Sequence, residues 1–222
     1  MNENNCFSKG SKNMVIRLDH EKIIRIQTYD NNVDNELKIC QHMYELGVAP
    51  KIHHIYKHSG VIAIIMSKYD CSFGSYIINQ EDPIWEINLC ILLKKVAFSN
   101  YVCLDMKPEN IIIKHDIQHR IIDMKLIDFG SGLCIVTEFE SESNYLIMLF
   151  IFKCICEEWY KPFYRKNVNM FEKKIIRLLL KNNIKDEILL IFQSGLINIV
   201  WSTYMKNKGC SPLEYFTMCY IK

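Results

Sequence analysis

Cys103-Leu104-Asp105-Met106-Lys107-Pro108-Glu109-Asn110, followed eighteen residues after its last member by Asp128-Phe129-Gly130, decides how the rest of this 222-residue chain is read. Each segment adjoins an apolar, β-branched run: Ile111-Ile112-Ile113 follows the first, and Lys125-Leu126-Ile127 leads into the second. Runs of that kind predict strands, which puts both polar clusters at strand ends. Taken singly, Lys107-Pro108-Glu109-Asn110 is a polar turn and Asp128 an exposed strand terminus. Taken together, they supply an Asp, a Lys and an Asn within six residues and a second Asp on a later strand end. Such a set suits the movement of a phosphoryl group. One Asp orients and deprotonates a hydroxyl, the Lys neutralises the transferring phosphate, and the Asn and second Asp hold Mg²⁺ against nucleotide oxygens.

In this form and order the two segments resemble the catalytic loop HRDLKxxN and the later DFG of the protein-kinase-like superfamily. The resemblance extends to compact, viral-type Ser/Thr kinase-like proteins. It implies an α+β, two-lobe fold: a small antiparallel N-lobe sheet with one helix over 1–66, a hinge over 67–70, and a reduced, mainly helical C-lobe over 71–222. It also implies ATP and Mg²⁺ as cofactors. Asp105 would be the catalytic base, Lys107 the phosphate neutraliser, and Asn110 and Asp128 the metal ligands. The chain is shorter than the resemblance leads one to expect, so parts of the family pattern are missing.

Working outward, 14–18 and 22–27 read as two strands joined by a tight turn at Asp19-His20-Glu21. The preceding Ser8-Lys9-Gly10-Ser11-Lys12-Asn13-Met14-Val15 lies on the family's glycine-rich loop with Gly10 and Val15 kept and Ser8 and Asn13 in glycine positions. Where the family carries its nucleotide lysine, this chain has Arg25. Arginine keeps the charge, but its planar fork is not a point ammonium. Lys22, at the start of the strand, is the fallback, and a surface salt bridge is the bland reading of Arg25. A helix is predicted over 35–46, capped by Asp34 and ended by Gly47, with Leu37, Cys40 and Tyr44 inward. Glu36 is then the partner of Arg25, or else a carboxylate that favours the helix dipole. A second hairpin, 51–56 with 61–66, turns at His58-Ser59-Gly60. The resemblance places Met66 at the adenine pocket and Ser67 and Tyr69 in the hinge.

A short helix is predicted over 73–80 and a longer one from Pro83 to Ala97 or Phe98, with Ile87, Cys90 and Ile91 inward. Cys103 and Leu104 stand where His and Arg precede the family's catalytic Asp. No APE triplet follows Gly130, and 145–156 is an apolar run too short to cross a membrane. Without an activation segment, no Arg is needed to read its phosphorylation.

The net charge of +2 and scattered basic residues argue against a nucleic-acid partner, and nothing argues for a membrane. Ten cysteines without a CxxC pair read as reduced thiols packed as small hydrophobes. With no apolar leader in 1–11, an intracellular, cytoplasmic protein is expected, of a host cell or virion. The resemblance implies a protein substrate modified on Ser or Thr as its partner. Two other readings stay open. Arg25 and the short activation region suit a small-molecule kinase of the aminoglycoside or choline type. The degenerate glycine loop, Arg25 and Cys103 suit a pseudokinase that acts by binding.

Overall fold

A computed structural model describes residues 6–9, 13–76, 84–130, 134–159, 173–181, 184–193, 197, 201–202, 205 and 208–221. The described residues fall into two compact units. The first draws on 1–76, 82–92 and 109–132, and the second on 77–81, 93–108 and 133–222.

In the first unit, β1 (Cys6–Lys9), β2 (Asn13–Arg17), β3 (Lys22–Thr28), β4 (Ile52–His58) and β5 (Val61–Ser67) form an antiparallel sheet in the order β1-β2-β3-β5-β4. The β4–β5 hairpin closes through Ser59 (φ 46°) and Gly60 (φ 74°). Two successive positive φ values define the tight turn whose twist matches that of the strands, and glycine adopts one of them without steric cost. Between β3 and β4 lies α1 (Asn31–Glu45), whose Val33 and Leu37 pack on Ile62 and Ile64 of β5.

The helix starts four residues earlier than the sequence suggests. Asp30, not Asp34, is the cap, and its carboxylate accepts from the Asn32 and Val33 N–H groups at 2.9 and 3.2 Å. Asp34 instead accepts from Tyr29 Oη and Lys57 Nζ. Those two donors hold its carboxyl below the usual range, Lys57 first. Gly47 (φ 71°) ends the helix as expected. Met43 is fully buried on the inward face, a position the apolar stripe did not include.

The same unit holds a second sheet, β6 (Cys71–Ser72), β8 (Ile111–His115) and β9 (Ile121–Leu126), in the order β6-β8-β9. Residues 73–76 form turns rather than helix, and the remainder of the predicted short helix lies outside the described residues.

Helix α2 (Ile84–Phe98) matches its predicted span but not its predicted face. Cys90 is buried as predicted, together with Trp85, Leu89, Leu92, Leu93 and Val96, whereas Ile87 and Ile91 are exposed at 55% and 47%. Both faces of this helix are apolar, so the i, i+3, i+4 spacing has two solutions and sequence alone does not choose between them.

The second unit contains a two-stranded ribbon, β7 (Tyr101–Cys103) with β10 (Cys134–Val136). It also contains helices that include α3 (Ser141–Trp159), α4 (Ile184–Gln193) and α5 (Pro212–Tyr220). From Tyr145 to Cys156 every residue of α3 is buried, as a core helix requires. Phe150 sits at the centre of an aromatic cluster, with ring centroids 5.0 Å from Phe216 and 5.5 Å from Phe192, both edge-on. That edge-to-face geometry is the one aromatic quadrupoles favour. Among the described residues, no helix is long and apolar enough to cross a membrane.

Candidate active site

Three groups of predicted site residues take definite positions. The first is the strand–helix pair. Arg25, opposite Ile64 on β3, donates from Nη2 to Glu36 Oε1 at 2.6 Å, and the two side chains are 14% and 11% exposed. Strand alternation places Lys22 on the other face of β3 from Arg25, so the fallback lysine is not on the side that meets Glu36. The Nε of Arg25 is buried and, among the described residues, has no hydrogen-bond partner. Buried donors are rarely left unanswered, and one that is marks a place where a ligand or water completes the bonding. Arg25 also lines a cavity of about 20 Å³ with Met66, Ile127, Asp128 and Phe129. That is room for about one water molecule, not for a purine ring.

The second group lies at one end of the β8–β9 ladder. Ile111 pairs with Leu126, and the Ile127 N–H donates to the Asn110 carbonyl at 2.9 Å. The Leu126 N–H donates to the Val48 carbonyl, also at 2.9 Å, anchoring the end of β9. Asn110 and Asp128 therefore flank the same strand ends. Asp128 has φ 64°, a left-handed conformation. Asp tolerates that region better than most residues, and such backbone persists where the surroundings hold it. Gly130 follows for a reason of space. A Cβ there would stand 3.0 Å from Glu36 Oε2 and 3.3 Å from its Cδ, so a side chain would press on the carboxylate that holds Arg25.

One carboxylate and one amide oxygen are too few for a protein-only cage. They do suit Mg²⁺, which keeps several waters and is completed by substrate phosphates. Among the described residues, no cluster of three or more His, Cys, Asp or Glu offers a competing metal site.

The third group belongs to the second unit. Lys107 Nζ lies 2.8 Å from Asp105 Oδ2, with side chains 24% and 8% exposed, and the Lys107 N–H donates to the Asp105 carbonyl at 3.0 Å. Leu104 and Met106 are buried on either side and fix the backbone that presents Asp105. Leu104 is buried, so this position serves packing.

The predicted hinge also has a readable pattern. The N–H groups of Ser67, Lys68 and Asp70 donate to the carbonyls of Lys51, Glu21 and Ile113 at 2.9, 2.6 and 2.9 Å. Among the described residues, the Tyr69 N–H has no such backbone partner. Tyr69 itself is fixed by a 2.7 Å bond from its hydroxyl to Asp123. Val15 is half-buried on β2, opposite Arg25. Gly10 lies outside the described residues.

Sequence reasoning missed the unanswered Nε of Arg25 and the Gly130–Glu36 approach, neither of which leaves a mark in spacing. It also missed the Tyr69–Asp123 bond, which spans 54 residues.

Comparison with known proteins agrees with this arrangement at the level of fold. No protein-family model and no curated sequence matches the chain. Among solved structures, residues 1–466 of Rad53 in complex with AMP-PNP align with a TM-score of 0.52 at 18% identity, over 69% of this chain and 45% of that one. The kinase domain of PF14_0431 aligns with a TM-score of 0.47 at 14% identity, over 68% of this chain and 61% of that one. The chain thus spans less than two-thirds of either. The fold is protein-kinase-like: α+β, with an antiparallel sheet and one helix in the N-terminal part and a reduced, mainly helical C-terminal part.

Proposed function

We propose that this chain is an ATP-dependent phosphotransferase of the Ser/Thr protein kinase type, in the compact form associated with large DNA viruses. The observation that carries the reading is the Asp105–Lys107 contact at 2.8 Å, with both groups largely withdrawn from solvent. A carboxylate beside an ammonium is the pair needed to take a hydroxyl proton and to meet the charge of the phosphoryl group it attacks.

In this reading the substrate oxygen attacks the γ-phosphorus of ATP, its proton passes to Asp105, and ADP departs with the former bridging oxygen. Lys107 neutralises the transferring group. Asn110 and Asp128 would hold Mg²⁺, which would supply charge neutralisation on the phosphate oxygens. Arg25, kept in place by Glu36, presents its unused Nε to the α/β phosphates, and Gly10 and Val15 belong to the loop over them. Met66, Ser67 and Tyr69 border the adenine, and the Tyr69 N–H supplies an edge donor. The AMP-PNP bound to Rad53 supports a nucleotide ligand for this fold. Residues 1–66, 67–70 and 71–222 are then N-lobe, hinge and C-lobe, and the setting is intracellular.

Arg25 favours a second reading. Small-molecule kinases of related fold carry arginine on this strand, so a metabolite hydroxyl is the alternative acceptor. Transfer of labelled γ-phosphate from Mg-ATP to a generic basic protein, to the chain itself and to a metabolite panel separates the readings, with Asp105→Asn as control. Protein labelling that disappears in the variant supports the protein kinase, and labelling confined to metabolites supports the alternative. Failure to bind nucleotide would make the chain a pseudokinase.

A further inference from the structure

The β7–β10 ribbon sets two cysteines opposite each other. Cys103 and Cys134 are direct cross-strand partners, with sulfurs 3.0 Å apart and residues 7% and 6% exposed. Directly opposed antiparallel residues have Cα atoms about 4.5–5.5 Å apart, inside the roughly 4.4–6.8 Å that a disulfide spans. The sulfurs are already closer than the about 3.5–4.0 Å of ordinary non-bonded contact. Closing the remaining gap of about 1 Å requires side-chain adjustment and no change in strand register. The pair also sits where the chain is sensitive, because Cys103 ends β7 two residues before Asp105.

From this geometry we infer that Cys103 and Cys134 form a redox pair, reduced in the structure, which closes to an intramolecular disulfide when a peroxide oxidises it. One sulfur, as thiolate, attacks a peroxide oxygen. The O–O bond breaks, the departing hydroxide takes up the thiol proton as water, and a sulfenic acid remains. The second sulfur then attacks the first, the S–O bond breaks, and the hydroxyl leaves with the second thiol proton as another water. Two thiols and one hydrogen peroxide give one disulfide and two waters. The cysteine pair loses two electrons and the peroxide oxygens gain them.

Burial usually makes a cysteine inert. Two features offset it here. Hydrogen peroxide is little larger than water and the residues are not fully sealed. The second step is intramolecular between atoms already in contact, which raises the effective concentration of the resolving thiol by orders of magnitude. Oxidation would tie the end of β7 to β10 covalently. It neither uses nor requires phosphotransfer, so the inference stands apart from the proposed function.

The test treats the full chain, natively folded, with graded hydrogen peroxide. Remaining thiols are then alkylated under denaturing conditions and the peptides mapped by mass. Cys219, which is exposed, reports by sulfenic-acid trapping that the oxidant reached the protein. The expected product is a Cys103–Cys134 linked peptide, lighter by two hydrogens and restored to two alkylatable thiols by dithiothreitol. It should form at doses that leave Cys154 and Cys156 alkylatable. Neither Cys103→Ser nor Cys134→Ser should give it. Full alkylation of both cysteines at doses that label Cys219 would overturn the proposal. So would oxidation of either to a sulfinic acid, or its capture in a different disulfide.

Discussion

Two enclosed cations in this molecule are handled in opposite ways. Arg25, on β3, meets Glu36 through Nη2 and keeps a buried Nε with no partner. Lys153, on α3, is 3% exposed and lies 3.9 Å from Glu157, over the rings of Tyr220 and Tyr215 at 5.4 and 6.0 Å. Glu157 in turn accepts from Tyr215 Oη at 2.8 Å and pairs with Lys208 at 3.5 Å. Burial and pairing of charge are common to both places. What separates the two cations is the Arg25 Nε, which has no hydrogen-bond partner among the described residues, and on that ground Arg25 is proposed to face a ligand and Lys153 to be part of the core.

The largest test of the contrast removes the packing on one side only. Phe150→Ala should cost about 3–5 kcal/mol, because the ring is fully buried and touched edge-on by neighbours that cannot all collapse into the gap. Thermal or urea unfolding measures this. At temperatures where the variant stays folded, nucleotide affinity should be unchanged. A change in affinity as large as that in stability would show that the aromatic cluster and the Arg25 region are not separable.

Next comes the charge proposed to face the ligand. Arg25→Ala should weaken nucleotide binding by about tenfold, or ~1.4 kcal/mol, while Lys22→Ala should leave it within about twofold. Calorimetric titration with a non-hydrolysable ATP analogue reads both. The reverse order would move the phosphate contact to Lys22 and leave Arg25 with a purely structural pairing.

The candidate site residues are easier to read in the sequence than the core is. Asp105, Lys107, Asn110 and Asp128 stand out because polar residues interrupt runs of isoleucine and leucine at strand ends. The segment Asp30-Asn31-Asn32-Val33-Asp34 was ambiguous for a local reason. Four of its five residues cap helices well, so composition alone does not select Asp30. Helix α2 failed differently, being apolar on two faces. The Cys103–Cys134 partnership depends on a strand register across 31 residues, which nothing in the spacing of ten cysteines encodes.

A smaller effect sharpens the contrast from the other side. Lys153→Met removes a cation from the aromatic cluster but leaves Glu157 with Tyr215 and Lys208. Replacing an enclosed charge by an apolar side chain of similar length is often neutral, provided the partner is not stranded. Stability should therefore change by less than about 1 kcal/mol, measured by denaturant midpoint. A loss of several kcal/mol would mean that Lys153 is the main counter-charge of Glu157 and that this pair, too, depends on a specific partner.

The smallest expected effect concerns His53, which contacts Ser67 Oγ at 3.1 Å on the sheet that carries Arg25. Partial burial, followed by the nearby Lys51 and Lys22 charges, holds its ring below its ordinary value of 6.5. The unfolded chain then binds the proton more readily than the folded one. The contribution of His53 is full above about pH 6.5 and is lost as pH falls below that value. His53→Gln should remove this part of the slope, so the melting temperatures of wild type and variant should run in parallel above about pH 6.5 and diverge as pH falls below it, only slightly because the ring is half in solvent. A variant that instead steepens the acid-side slope would mean that protonated His53 is favoured by the fold. The Asp19 carboxylate, which acts in the opposite direction, would then outweigh burial and the two lysines at this position.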